Sequence, residues 1–242
     1  MRIAYLGGGF AGWQRQPGAR TVQGVLELAL AALYGRPVNI TGAGRTDAGV
    51  HAAGQVAHFD PPLAIPPAGV ASALNSLLPA DVRVLRTWPV PEGFHARRSA
   101  SRKRYCYRLA WGRTLPPWEA QRRWLVAAPL ARAPMAAALA AAEGEHDFAA
   151  FALSGHSGHG PRGTVRVVTT ARLRLRGHRL DLVLVGDGFL RGMVRRIAGA
   201  LVEVGRGARS PAWFASLIDD PATRPPAPTA APHGLTLEHV WY

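Results

Sequence analysis

A chain of 242 residues, 48% apolar and 18% charged, is long enough to bury a real core as one large domain or two smaller ones. Its 29 basic against 15 acidic side chains leave a net charge of +14, a field that draws a polyanion and suits a neutral glycan poorly. The one cysteine, Cys106, excludes an intramolecular disulfide and a cysteine-based zinc cluster, and no apolar run approaches a membrane span. No charged, apolar leader opens the chain, so the expectation is a soluble cytoplasmic protein with no membrane contact. All the basic residues but Lys103 are arginine, whose planar fork fits phosphate and stacks on bases.

In chain order, "RIAYL" is a short strand that runs into the glycine-rich loop "GGGFAGWQRQPGAR". The pattern Gly7, Gly9, Gly12 satisfies a dinucleotide fingerprint, but no helix opens at once behind it, and no nucleotide cofactor is expected. "TVQGVLELALAALYG" is a strong helix, with Thr21 as N-cap, Gly35 beyond its end, and Val22, Val25, Leu26, Ala29, Leu30 and Leu33 at helical spacing. "PVNI" and "QVAHFD" read as strands, "AGVASALNSLL" as a helix and "VRVLRTWPV" as a strand. That order, strand, helix, strand, strand, helix, strand, is the split arrangement of a ferredoxin-like unit.

The second half opens near "FHARRSASRKRYCYRLAW", where Tyr105, Tyr107, Leu109 and Trp111 alternate onto one strand face. Five positive residues in the eight before Tyr105 are either a solvated strand edge or a phosphate-binding run, and the net charge favours the second. An alanine-rich helix in "APMAAALAAAEGEHDFAAF", a hairpin around Gly177, helices in "GMVRRIAGALVEVG" and "PAWFASLID", and a closing strand "LTLEHVWY" complete the pattern. The proline-rich "PATRPPAPTAAP" is an extended connector. On the helix wheel of residues 192–204, Arg191 and Arg195 fall within or at the edge of the apolar arc, while Arg196 lies with Glu203 on the polar side. A half-buried arginine wants an anionic partner, although a backbone carbonyl also serves. The expected architecture is α+β, with two ferredoxin-like halves, 1–95 and 96–242. Their mainly antiparallel sheets would lie side by side about a basic central cleft.

The nine histidines show none of the spacings of a zinc site, so no metal is expected; His156 and His159 read as part of a basic loop. Asp47, in "GAGRTDAGVHA", is by itself ordinary turn chemistry. The longer string "GAGRTDAGVHAAGQVAHF", however, resembles the signature of the tRNA pseudouridine synthase A family. The resemblance continues in order through "FAGWQRQ", "TVQGVLE", "FHARRSASRKRYCY", "HDFAAF", "GFLRGMVRRIAGALVEVG" and "GLTLEHVWY", nearly the whole chain.

That resemblance implies a homodimer that grips tRNA and isomerises uridine to pseudouridine at positions 38, 39 and 40 of the anticodon stem-loop. It implies Asp47 as the catalytic carboxylate and Arg45 as the arginine that helps extrude the base. Tyr105 would stack on the target base and Arg195 would pair with the aspartate. Phe94, His95, Ala96, Arg97 and Arg98, and Ser154, Gly155, His156, Ser157 and Gly158, occupy stretches that contact tRNA in the family. Leu6, where an aspartate is usual, and Arg98, where an aromatic is common, depart from the pattern. The reaction is an internal rearrangement and needs neither redox cofactor nor ATP, in keeping with the absence of either signature. A non-catalytic protein with RNA-recognition units would carry an aromatic sheet motif not found here, and a retaining glycosidase would need a second carboxylate near Asp47.

Overall fold

The computed structural model describes residues 1–155, 162–220 and 227–242. His156, Ser157, Gly158 and His159 lie outside the described residues, as does the first half of the proline-rich connector. The chain forms two compact units, Met1–Ser101 with Thr236–Tyr242, and Arg102–Leu235. The division falls at residue 101 rather than near 95, and the last seven residues return to the first unit.

The first unit runs β1 (Arg2–Tyr5), α1 (Val22–Tyr34), β2 (Thr41–Gly42), β3 (His51–His58), α2 (Pro67–Leu77) and β4 (Val82–Arg86). Along β1, Ile3 and Tyr5 are buried while Arg2 and Ala4 stay half-exposed, the period-2 pattern of a strand with one face in the core. Thr21 caps α1 by accepting the Gly24 N–H, and Gly35, at φ 68°, ends it in the left-handed conformation. Leu26 and Leu30 of α1, Leu74 of α2, Ile3 and Val82 are fully buried and form the centre of the core.

Two details depart from the sequence pattern. Val25 and Leu33 are only half-buried, whereas Gln23 and Glu27 share the buried face of α1. "PVNI" forms no strand. Its Ile40 N–H donates to the Glu27 carboxylate at 3.1 Å, and its carbonyl accepts from the Gln23 carboxamide at 3.2 Å. Helix side chains thus satisfy the backbone groups that a ladder would otherwise pair.

The second unit runs β5 (Arg102–Trp111), α3 (Pro117–Ala120), β6 (Trp124–Val126), α4 (Arg132–Ala140), β7 (Gly144–Asp147), β8 (Val165–Arg176), β9 (Arg179–Gly186), α5 (Met193–Gly205) and α6 (Pro211–Asp219). Its strands lie in the order β5-β9-β8-β7, all antiparallel, with β6 alongside β5 in parallel. The β8–β9 hairpin turns at Gly177 and His178 as expected. Tyr107, Leu109, Leu182 and Leu184 bury against a core that includes Met135, Phe148, Phe151 and Phe214. Met193, Ile197, Ala200, Leu201 and Val204 form the buried stripe of α5.

The closing strand β10 (Leu235–Trp241) pairs in parallel with β3, Thr236 opposite His51 and Leu237 opposite Ala52. The first unit's strands are therefore ordered β4-β1-β3-β10, with β2 paired to the far end of β3.

Candidate active site

Asp47 sits on the loop between β2 and β3, half-buried, where its carbonyl accepts the Val50 N–H at 3.1 Å and closes a turn through Gly49. The preceding residue, Thr46, is buried and shares a 2.8 Å hydrogen bond with the Tyr5 hydroxyl. The Thr46 carbonyl accepts the Trp13 N–H at 3.0 Å, and Gly49 N–H donates to the Phe10 carbonyl at 3.3 Å. His51, just after the turn, accepts the Gly7 N–H on Nδ1 at 3.0 Å. The Asp47 turn is thus held on both sides by the loop 7–20.

Two glycines make this approach possible. A Cβ at Gly7 would stand 2.1 Å from the Val50 carbonyl oxygen, and one at Gly12, where φ is +100°, would stand 2.8 Å from that of Thr46. The glycine-rich stretch after β1 thus serves backbone-to-backbone packing within the protein. Arg45, by contrast, is exposed and has no hydrogen bond or ion pair among the described residues.

Loop 7–20 is itself fixed by α1. The buried Glu27 carboxylate accepts from Arg15 Nη1 at 3.0 Å and Gln23 Nε2 at 2.9 Å, besides Ile40 N–H. Gln23 in turn accepts the Arg15 N–H at 3.0 Å, and its own N–H donates to the Trp13 carbonyl. At the other end Arg20 forms a two-pronged pair with Asp81, 2.8 and 2.9 Å, and lies 4.0 Å over the Phe10 ring. That hydrogen-bonded guanidinium holds the Asp81 carboxyl below the usual range and raises Arg20 in return.

The segment 94–98 lies at the opposite end of β3 from Asp47, roughly 23 Å along the strand at 3.3 Å per residue. His58 anchors it by accepting the Ala96 N–H on Nδ1 at 3.2 Å, with Phe94 and His95 packed on its ring. Tyr242 donates to the Ala96 carbonyl. Burial, and then the His95 charge, pull the His58 pKa down, which favours the neutral ring that this contact needs. Ala96 is fully buried, and its backbone N–H and carbonyl are both engaged in this anchoring. Arg97 and Arg98 are exposed, and their guanidinium groups are unpaired among the described residues.

In the second unit Tyr105 is buried on β5, its ring 5.0 Å edge-to-face from Phe189. Arg195, on the first turns of α5, donates from Nε to the Ala230 carbonyl at 2.9 Å, while the Ala230 N–H donates back to its carbonyl. Arg196 does not lie on a solvated face. It donates to the carbonyls of Ala150 and Ala152, and burial lowers its pKa. Arg191, in the turn just before α5, binds the Ser154 carbonyl at 3.0 Å and so holds the chain leading to Ser154 and Gly155. Asp47, Arg45 and residues 94–98 belong to the first unit, and Tyr105, Arg195, Ser154 and Gly155 to the second.

The supporting residues Tyr5, Thr46, Trp13, Gln23 and Glu27 were missed by sequence reasoning. The usable signal was Gln23 and Glu27, two polar residues four apart on an otherwise apolar helix face. Among the described residues no three His, Cys, Asp or Glu side chains gather as metal ligands, and no helix is long and apolar enough to cross a membrane.

Comparison with known proteins adds a separate line of support. The sequence model of the family described as tRNA pseudouridine synthase matches residues 1–97 and 138–242. The unmatched stretch includes Tyr105, but whole-chain relatives align across it. One is the tRNA pseudouridine synthase A of Myxococcus xanthus, 42% identical over all of this chain and 91% of that protein. Others are the tRNA pseudouridine synthases A of Frankia casuarinae, 44% identical over all of this chain and 88% of the relative, and of Geobacter sulfurreducens, 40% identical over 98% and 96%.

Proposed function

The chain belongs to the tRNA pseudouridine synthase family and isomerises uridine to pseudouridine in tRNA; we propose that it does so at positions 38, 39 and 40 of the anticodon stem-loop, with Asp47 as the reacting carboxylate. In this reaction the bond from N1 to the sugar C1′ breaks and the base turns over. The bond from C5 to C1′ then forms, the C5 hydrogen leaves as a proton and N1 takes one up. Atoms and electrons balance within the nucleoside, so no redox cofactor or ATP takes part.

The observation that carries the role of Asp47 is the setting of its turn. Thr46 and Gly49, either side of it, are bonded to the loop 7–20, and Tyr5 and the two close-packed glycines fix the same stretch. A carboxylate whose backbone is held from both sides loses little freedom on meeting a substrate, which is what a positioned nucleophile or base requires. Arg45, exposed and unpaired among the described residues, supplies a guanidinium to the RNA backbone as the uridine leaves the stack. Tyr105 offers its ring to the extruded base, and Arg195 supplies a second cation to the reaction. We place the enzyme in the cytoplasm as a homodimer, where the partner subunit extends the grip on tRNA.

The test is tritium release from tRNA labelled at uridine C5, because forming the new carbon–carbon bond must expel that hydrogen. Asp47→Asn should lower turnover by on the order of 10³-fold while tRNA binding survives. Substantial release by that variant, with deamidation excluded by mass spectrometry, would sink the assignment. Arg195→Met should lower kcat more than tRNA affinity, because its charge is assigned to the reaction and not to the grip on RNA. An unchanged kcat would make Arg195 a structural residue that holds the Ala230 carbonyl.

A further inference from the structure

We infer that a pocket on the first unit, separate from the Asp47 turn, binds one nucleotide of the substrate tRNA, with its phosphate at Arg2 and Arg86 and its base against Trp88. The inference rests on the tRNA-modifying reading above. The pocket has a volume of about 340 Å³ and is bounded by β1, β3, β4 and β10, with Val56 at its apolar base and Tyr242 at one wall.

Arg2 and Arg86 are direct partners across the antiparallel β1–β4 ladder. Like charges in that position repel and destabilise the pair of strands. Elsewhere the protein pairs such arginines with carboxylates, Arg20 with Asp81, Arg123 with Asp181 and Arg179 with Glu119. Here no aspartate or glutamate lines the pocket. Neither guanidinium has a hydrogen bond or ion pair among the described residues, and Arg2 Nε is buried without a partner. Two opposed cations, one with a buried unmet donor, are satisfied together by an anion that offers several acceptor oxygens. A phosphodiester does this. Trp88, two residues after Arg86, lines the same pocket with aromatic surface that a free inorganic ion would leave unused and a nucleotide base would cover. The net charge of +14 selects a polyanion as the source.

Arg2→Gln, Arg86→Gln and Trp88→Ala, each made in the full chain, test this. Binding of tRNA across a salt series, steady-state tritium release and a hydroxyl-radical footprint of the tRNA are compared with wild type. Each arginine variant should weaken tRNA binding several-fold and lower the slope of log affinity against log salt by about one. The catalytic loss should fall in KM far more than in kcat, and one discrete stretch of backbone should lose protection. Trp88→Ala should weaken binding with its salt slope kept. Unfolding of the RNA-free arginine variants should come at an equal or higher temperature, because a repulsion has gone. Unaltered affinity and slope would overturn the inference, as would weaker binding with no change in the footprint. A variant that instead changes sedimentation in the absence of RNA would assign the pocket to a protein interface, which also overturns it. Failure of the wild type to release tritium would reject the reaction, while the binding and footprint differences still judge the pocket.

Discussion

Tyr5 does two things with one hydroxyl. It fixes Thr46 next to Asp47, and burial pushes its own pKa up to about 12. An unfolded tyrosine ionises near 10, so below pH 10 both states keep the proton and the contribution of Tyr5 to stability is whole. As pH rises from about 10 through about 12 the unfolded state ionises first, and about 3 kcal/mol is lost at 1.36 kcal/mol per unit. Tyr5→Phe should therefore flatten the alkaline limb of stability measured by urea unfolding. At neutral pH it should cost about 1 kcal/mol, because the Thr46 hydroxyl loses its partner. His58 works in the opposite direction. Its pKa is depressed in the folded protein, so its bond to Ala96 is present above about pH 6.5, the unfolded value, and is lost as pH falls through the lower folded value. The hydrogen-exchange protection of the Ala96 amide should fall over that range, and His58→Phe should remove the pH dependence.

Helix α1 is the element that connects the core to the chemistry. Its apolar face holds it in place, while Gln23 and Glu27 on the same face reach out to Trp13, Arg15 and Ile40. Glu27→Ala should leave the Ile40 N–H without its acceptor and take one bond each from Gln23 and Arg15, at about 2 kcal/mol or more of stability. It should also lower kcat with little change in tRNA affinity; loss of affinity alone would remove α1 from the positioning of Asp47. This element also marks where the sequence was readable. Thr21, Gly35 and the leucine spacing located α1, because caps and periodicity act locally. Glu27 counted as an exception to the apolar pattern, and its meaning depends on Ile40 and Arg15, which only folding brings near. "PVNI" misled for the same reason: its composition suits a strand, but its backbone groups are taken by the helix. The Asp47 motif was legible as a string, whereas its support from Tyr5, Gly7 and Gly12 was not. Arg196 was misread because a helix wheel knows nothing of the carbonyls of Ala150 and Ala152.

For the whole molecule, the excess of arginine over carboxylate makes affinity for tRNA a function of salt. Arg97→Gln removes an exposed guanidinium that no carboxylate pairs among the described residues, so the salt slope should fall by about one if it meets a phosphate. An unaltered slope would make Arg97 a solvating charge. Chelation by EDTA should leave turnover intact once tRNA folding is controlled, and recovery specific to added zinc would contradict that. The strand that flanks the beginning of β3, beside the Asp47 turn, is β10, and the ribosome reaches it only after the entire second unit has been made. At 5–20 residues per second, roughly seven to thirty seconds separate synthesis of the first unit's other strands from arrival of that one. A nascent chain therefore carries the Asp47 turn well before the sheet beside it is complete. Premature termination anywhere in the second unit should give a first unit with an open edge at β3, prone to aggregate rather than to act on tRNA.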